Sequence, residues 1–76
     1  MRNADELVLF RLCGRAERKE ITEQEARILF RARCPHVLLS RSGFNTAIRL
    51  MVFLYRSGLY NITTGPDGVE TLKHIK

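Results

Sequence analysis

The segment from Ser40 to Ile62 combines an amphipathic helix, a glycine stop and the start of a strand, and it constrains the fold more than any other part of the chain. Apolar residues recur at intervals of three and four, which places them on one helical face. They are Phe44, Ala47, Ile48, Met51, Leu54 and Tyr55. The opposite face carries Arg41, Ser42, Asn45, Thr46 and Arg49. The spacing predicts a helix over 42–57, capped by Ser40 or Ser42 and ended by Gly58.

A first helix is predicted near the start of the sequence. Asn3 and Glu6 have the spacing of a capping box, in which each side chain accepts from the other residue's backbone N–H. The apolar stripe that follows predicts a helix to about Arg18, although Gly14 costs on the order of 1 kcal/mol inside a helix.

A second capping box, Thr22 with Glu25, predicts another helix start. Pro35 ends this helix, because the residue before a proline avoids helical angles. The apolar segment 35–39 that follows is consistent with a brief strand or a buried connecting turn, and we favour the connector.

The C-terminal part predicts a β-hairpin. Segments 59–64 and 69–75 are rich in β-branched and aromatic residues, and 65–68 has the sequence Gly-Pro-Asp-Gly, a concentrated turn signal. We therefore predict an α+β fold in which three helices precede a two-stranded hairpin. A chain of 76 residues has room for one domain, 1–76, with a core too small for a deep catalytic cleft.

The inventory of reactive residues argues against an enzyme or a metalloprotein. Cys13 and Cys34 lie 21 positions apart without CxxC spacing, and we interpret both as buried thiols. His36 and His74 have no partner at a catalytic or zinc-binding spacing. We expect no enzymatic activity, no metal and no cofactor.

The longest apolar run, 50–55, is far shorter than the roughly 20 residues of a membrane span, and the N-terminus lacks the apolar region of a signal peptide. We expect a cytoplasmic protein without a membrane partner.

The net charge of +5 is unevenly distributed. Segment 27–66 contains no carboxylate, whereas its basic residues are all arginines. These are Arg27, Arg31, Arg33, Arg41, Arg49 and Arg56. Such a cluster attracts polyanions, although a solvated surface or arginines paired with acids elsewhere in the chain fit the composition nearly as well.

The order of helix, helix, amphipathic helix and hairpin resembles the winged helix-turn-helix family of small bacterial or phage DNA-binding regulators. The most specific part is the sequence from Ser42 to Tyr60, which is similar to the family's polar-start recognition helix and its small-glycine-leucine step into the first wing strand. The connector 34–40 is longer than a compact helix-turn-helix turn. The hairpin turn contains one acidic residue and no basic residue, so the third helix must make most of any DNA contact.

The resemblance implies sequence-specific binding to double-stranded DNA, with the third helix in the major groove, where Arg pairs with guanine and Asn with adenine. Arg41, Asn45, Thr46 and Arg49 would enter the groove. Ser40, Ser42, Arg27 and Arg31 would contact phosphates.

Two further partners are consistent with the sequence. Val52 and Phe53 lie on the nominally polar side of the third helix, where either a dimer contact or packing beneath the hairpin would cover them. A twofold homodimer is expected for a regulator that binds two half-sites. The alternative function is a small inhibitor or adaptor of phage or mobile-element type that binds an acidic protein.

Overall fold

The computed structural model describes residues 3–75 and contains three α-helices followed by a two-stranded antiparallel sheet. The elements are α1 (Asn3–Glu17), α2 (Glu23–Arg33), α3 (Arg41–Ser57), β1 (Tyr60–Thr64) and β2 (Glu70–His74). The predicted α+β class and the predicted order of elements are therefore confirmed.

The start of α2 has both hydrogen bonds of the predicted capping box. Thr22 Oγ1 accepts from the Glu25 backbone N–H at 3.0 Å, and Glu25 Oε1 accepts from the Thr22 N–H at 3.1 Å. At the other end, the N–H of Cys34 donates to the Phe30 carbonyl at 2.8 Å, and Pro35 follows directly. Local hydrogen bonding thus fixes both ends of this helix, as the sequence predicts.

The start of α1 differs from the predicted capping box. Asn3 is already helical, and its side-chain amide donates to the Glu70 carbonyl of β2 at 2.9 Å. A polar side chain that the sequence assigns to a local cap instead connects α1 to the last strand.

Helix α3 begins one residue before the predicted bound and ends where predicted. Ser40 is its N-cap, with Oγ accepting from the Gly43 N–H at 3.1 Å. Gly58 follows its last residue with φ of 68°, in the left-handed region that a residue without Cβ enters at little cost.

Between α2 and α3 the chain forms the predicted connector and no strand. Its first part is a turn in which the Val37 N–H donates to the Cys34 carbonyl at 3.1 Å. The expectation of a buried connector is wrong for Leu38, which is 91% exposed.

The core lies where α1 contacts both other helices and the hairpin. Its members come from all three helices and the C-cap of α2. They are Leu9, Phe10, Leu12, Cys13, Ala26, Phe30, Cys34, Phe44, Ile48 and Met51. Phe30 and Phe44 join α2 to α3, with ring centroids 5.5 Å apart. The predicted apolar face of α3 therefore faces inward.

Gly14 allows α1 and α3 to approach closely. A Cβ at this position would lie 2.8 Å from Cε2 of Tyr55, a distance that no relaxed structure accepts. The Tyr55 ring occupies this space, packs edge-on against Phe10 and accepts a hydrogen bond from Arg18 Nη1 at 2.9 Å. Close helix packing thus accounts for a glycine inside a helix.

The hairpin packs against α1 rather than standing alone. Ile62 of β1 pairs with Leu72 of β2, and both contact the core from one face of the sheet. Glu70 also accepts a hydrogen bond from Arg11 of α1. A two-stranded sheet is only marginally stable by itself, so these contacts stabilise it.

Candidate nucleic-acid interface

The outer face of α3 is open to solvent along the part predicted to contact DNA. Arg41, Ser42, Thr46 and Arg49 are exposed, and Asn45 is half-buried. Neither strand of the hairpin covers these residues, because the hairpin packs against α1 and the C-terminal end of α3. All five side chains therefore lie on or beside one accessible surface.

Three hydroxyls on or beside this surface already make internal hydrogen bonds. Ser40 Oγ is the cap acceptor for α3 and lies 3.3 Å from Ser42 Oγ. Thr46 Oγ1 donates to the Ser42 carbonyl at 2.9 Å. Thr46 is therefore an available acceptor on this face, while its proton is engaged within the helix.

A groove of about 320 Å³ runs between α2 and the first turns of α3. We call it the arginine groove, and it is lined by Gln24, Arg27, Ile28, Arg31, Arg41, Phe44 and Asn45. Four of the eight residues that the sequence assigns to DNA binding meet here. The other four, Ser40, Ser42, Thr46 and Arg49, are not part of its lining, so the predicted site divides into this groove and the outer face of α3.

Acidic partners neutralise part of the predicted basic cluster. Arg56 donates from Nε and Nη2 to the two carboxylate oxygens of Glu17, at 2.8 and 3.1 Å. This contact lowers the pKa of Glu17 and raises that of Arg56. Arg27 Nη2 donates to Glu23 Oε1 at 3.0 Å. Arg56 is thus a structural cation, and segment 27–66 is less basic in the fold than its sequence indicates.

The remaining arginines of the predicted site have no such partner. Arg31, Arg41 and Arg49 are exposed and make no salt bridge with any of residues 3–75. Arginines in this state keep all their N–H donors available for a polyanion.

A cluster that the sequence did not predict joins α1 to the connector. The carboxylate of Asp5 is buried, and both of its oxygens lie within 3.0 Å of His36 Nε2. Burial and a hydrogen bond to Asp5 raise the pKa of the Cys34 thiol. The only sequence signal was a carboxylate in the first turn of α1. The arrangement holds the connector in place and keeps Cys34 protonated.

Cys13 is also a buried free thiol. Burial, with smaller contributions from Glu23 and Glu17, raises its pKa to about 11. A thiol that stays protonated at neutral pH is a poor nucleophile and a poor metal ligand.

Within the part of the chain that the structure describes, no three His, Cys, Asp or Glu side chains are placed to hold a metal ion. None of the helices in residues 3–75 combines the length and apolar character that crossing a bilayer requires. Comparisons with models of protein families, with curated proteins and with solved structures return no match.

Proposed function

We propose that this protein binds double-stranded DNA in a sequence-specific manner, as a small transcriptional regulator with α3 in the major groove. The observation that carries the proposal is the open outer face of α3, where Arg41 and Arg49 are exposed without salt bridges to residues 3–75. Beside this face, the arginine groove adds Arg27 and Arg31. The arrangement combines groups suited to base edges with groups suited to phosphates.

The N-terminal half of α3 fits the proposal better than the C-terminal half. From Arg41 to Arg49 the helix rises about 12 Å, which is close to the width of the major groove. Beyond this part, Leu50 and Phe53 are exposed apolar side chains. Arg41 and Asn45 line the arginine groove, whereas Thr46 and Arg49 lie outside it. We therefore assign the base contacts to Thr46 and Arg49.

Titration with duplex DNA of random sequence tests the proposal before any target is known. We expect backbone nuclear magnetic resonance signals of α3 to shift, and the affinity to fall steeply and linearly on a log-log plot against salt. Absence of duplex affinity, together with binding to an acidic protein, would support the adaptor function instead.

Replacing Arg49 with alanine should lower the affinity for the preferred sequence by about 1 to 3 kcal/mol, because a bidentate contact to a base is lost. Binding to random duplex should change much less. The measurement is fluorescence anisotropy on a duplex selected from a random library and on a scrambled duplex. Arg33→Ala, which removes the same charge from the end of α2, is the control. Equal losses on both duplexes would make Arg49 a phosphate contact.

We also propose that the protein forms a twofold homodimer through the C-terminal half of α3. Phe53 is 68% exposed, and it lies beside a groove of about 550 Å³ between α1, α2 and α3. Apolar residues of this groove, including Ile48 and Val52, lie next to acidic residues, including Glu17 and Glu23. In a twofold interface each contact occurs twice, so Phe53 of each copy can enter the groove of the other. The Phe53 side chain and the groove that would receive it thus lie on the same face of the protein.

Phe53→Ala should weaken dimerisation by about 1,000-fold, because a twofold dimer loses two buried aromatic anchors, each worth about 2 kcal/mol. Sedimentation equilibrium measures the dissociation constant. Leu38→Ala removes an even more exposed apolar side chain from a different surface and should leave the constant unchanged. A wild-type protein that stays monomeric at all accessible concentrations would contradict the proposed dimer.

A further inference from the structure

The arginine groove is positively charged and partly apolar. Arg27, Arg31 and Arg41 line it together with the amides of Gln24 and Asn45, and no carboxylate is part of the lining. Its apolar lining consists of Ile28 and Phe44. Three guanidinium groups from two helices therefore share one cleft, and of the three only Arg27 has a salt bridge within residues 3–75, to Glu23. Like charges in one cleft repel one another, and an anion bound between them would offset the repulsion.

One buried donor of the groove's residues has no hydrogen-bond partner among the described residues. Among the described residues, Arg27 Nε is the buried side-chain nitrogen or oxygen for which no hydrogen bond is found. A buried N–H without an acceptor costs about 1 to 3 kcal/mol, and native proteins usually supply an acceptor from protein, water or ligand. The salt bridge to Glu23 uses Nη2 and leaves Nε unsatisfied. An oxygen acceptor from a bound ligand would satisfy the Nε–H donor of Arg27.

The first turn of α3 adds to the positive potential of the arginine groove. It contains no acidic residue, and Arg41 is its first residue. The positive end of the helix dipole is therefore not offset by a carboxylate of that turn. Because Arg41, Phe44 and Asn45 all line the groove, the field of this helix end adds to that of the guanidinium groups.

We propose that the arginine groove binds a single phosphate group, with Arg27, Arg31 and Arg41 as its charged donors and Asn45 as a neutral donor. Arg41 and Asn45 then hold phosphate and do not read bases, so sequence discrimination falls on Thr46 and Arg49. Two sources offer this chemistry: a phosphodiester of the DNA backbone, for which the inference rests on the proposed function, and a free phosphate ion or ester. The groove, at about 320 Å³, is large enough to admit such a group.

The first experiment uses inorganic phosphate alone. Titration of the nitrogen-15-labelled protein, with chloride at equal ionic strength as the control, should give saturable shifts of the Arg27 Nε–H signal. Arg31→Ala and Arg41→Ala should each weaken this binding about tenfold, since each removes a hydrogen bond between charged groups. Arg33→Ala removes the same charge outside the groove lining and should have little effect.

The second experiment measures the salt dependence of binding to random duplex DNA. Loss of the one phosphate contact that the groove makes would reduce the steepness of log K against log salt by about 0.9, the largest reduction that a groove variant can show. Arg31→Ala and Arg41→Ala should each reduce the steepness by up to this amount, whereas Arg33→Ala should keep the wild-type slope. Neither affected side chain is buried, so these variants are expected to fold.

The two experiments separate the inference from the proposed function. Duplex binding whose slope is unchanged in Arg31→Ala and Arg41→Ala would overturn the phosphate site and leave the DNA-binding function standing. Saturable phosphate binding without duplex affinity would overturn the function and assign the groove to a free phosphate or phosphate ester. If neither phosphate nor duplex binds, both proposals are wrong.

Discussion

Replacing Phe30 with alanine is expected to remove a large part of the stability of this protein. The Phe30 side chain is 1% exposed and packs against Phe44 in the core. Truncation of a buried phenylalanine costs about 3 to 5 kcal/mol, because the transfer free energy is lost and a cavity remains. The free energy of unfolding of a domain of this length is roughly 4 to 11 kcal/mol. Urea denaturation followed by far-ultraviolet circular dichroism gives the free energy of unfolding of both proteins.

Ile28→Ala is the matched control, since it truncates an apolar side chain on the same helix. Ile28 is 58% exposed, and we expect a change within about 0.5 kcal/mol. If the two variants were destabilised equally, the face of α2 that packs inward would be assigned incorrectly.

The second large effect is a loss of stability at alkaline pH. In the fold the pKa of Cys13 is raised to about 11, from 9.0 for a free thiol, chiefly by burial. As pH rises from 9.0 to about 11, Cys13 loses its proton in the unfolded chain before it does so in the fold, so ionisation favours unfolding. The stabilisation is complete below pH 9 and is lost by about pH 11. A shift of this size corresponds to roughly 2 to 3 kcal/mol.

Urea denaturation at a series of pH values across this window measures the effect. Cys13→Ala should be less stable at neutral pH because of lost packing, yet its stability should depend less steeply on pH above 9. All other ionisable groups are common to the two proteins, so the difference between the two curves isolates Cys13. Parallel curves would mean that this thiol ionises in the fold as readily as in the unfolded chain.

The sequence predicted correctly those features whose partners lie within a few residues of each other. Thr22 and Glu25 are three positions apart, and Gly58 directly follows the helix that it ends. Helical periodicity likewise assigned Phe44 and Ile48 to the core. In each case the hydrogen bond or the shared face depends on local geometry, which is nearly independent of the rest of the fold.

The features that the sequence did not predict depend on residues far apart in the chain. Arg56 belongs to the basic cluster in the sequence, but its partner Glu17 lies 39 positions away. Asp5 and His36 are separated by 31 positions. Helix packing alone brings such groups together, and no local pattern encodes it.

The candidate site was predicted in the same uneven way. The exposed face of α3 follows from periodicity, and Arg49 is exposed as predicted. The arginine groove required knowledge of how α2 lies against α3, which places Arg27 and Arg31 beside Arg41 and Asn45. Sequence spacing relates Arg27 to Arg31, four positions apart, but not to residues of another helix.

The hydrogen bond between Asn3 and Glu70 spans 67 positions and joins the first helix to the last strand. During synthesis on a ribosome, α1 emerges long before β2. The surface of α1 that receives the hairpin therefore stays uncovered until β2 has been translated. Chains stalled before Glu70 would present that surface to chaperones and proteases, so the synthesis of β2 decides whether α1 is protected.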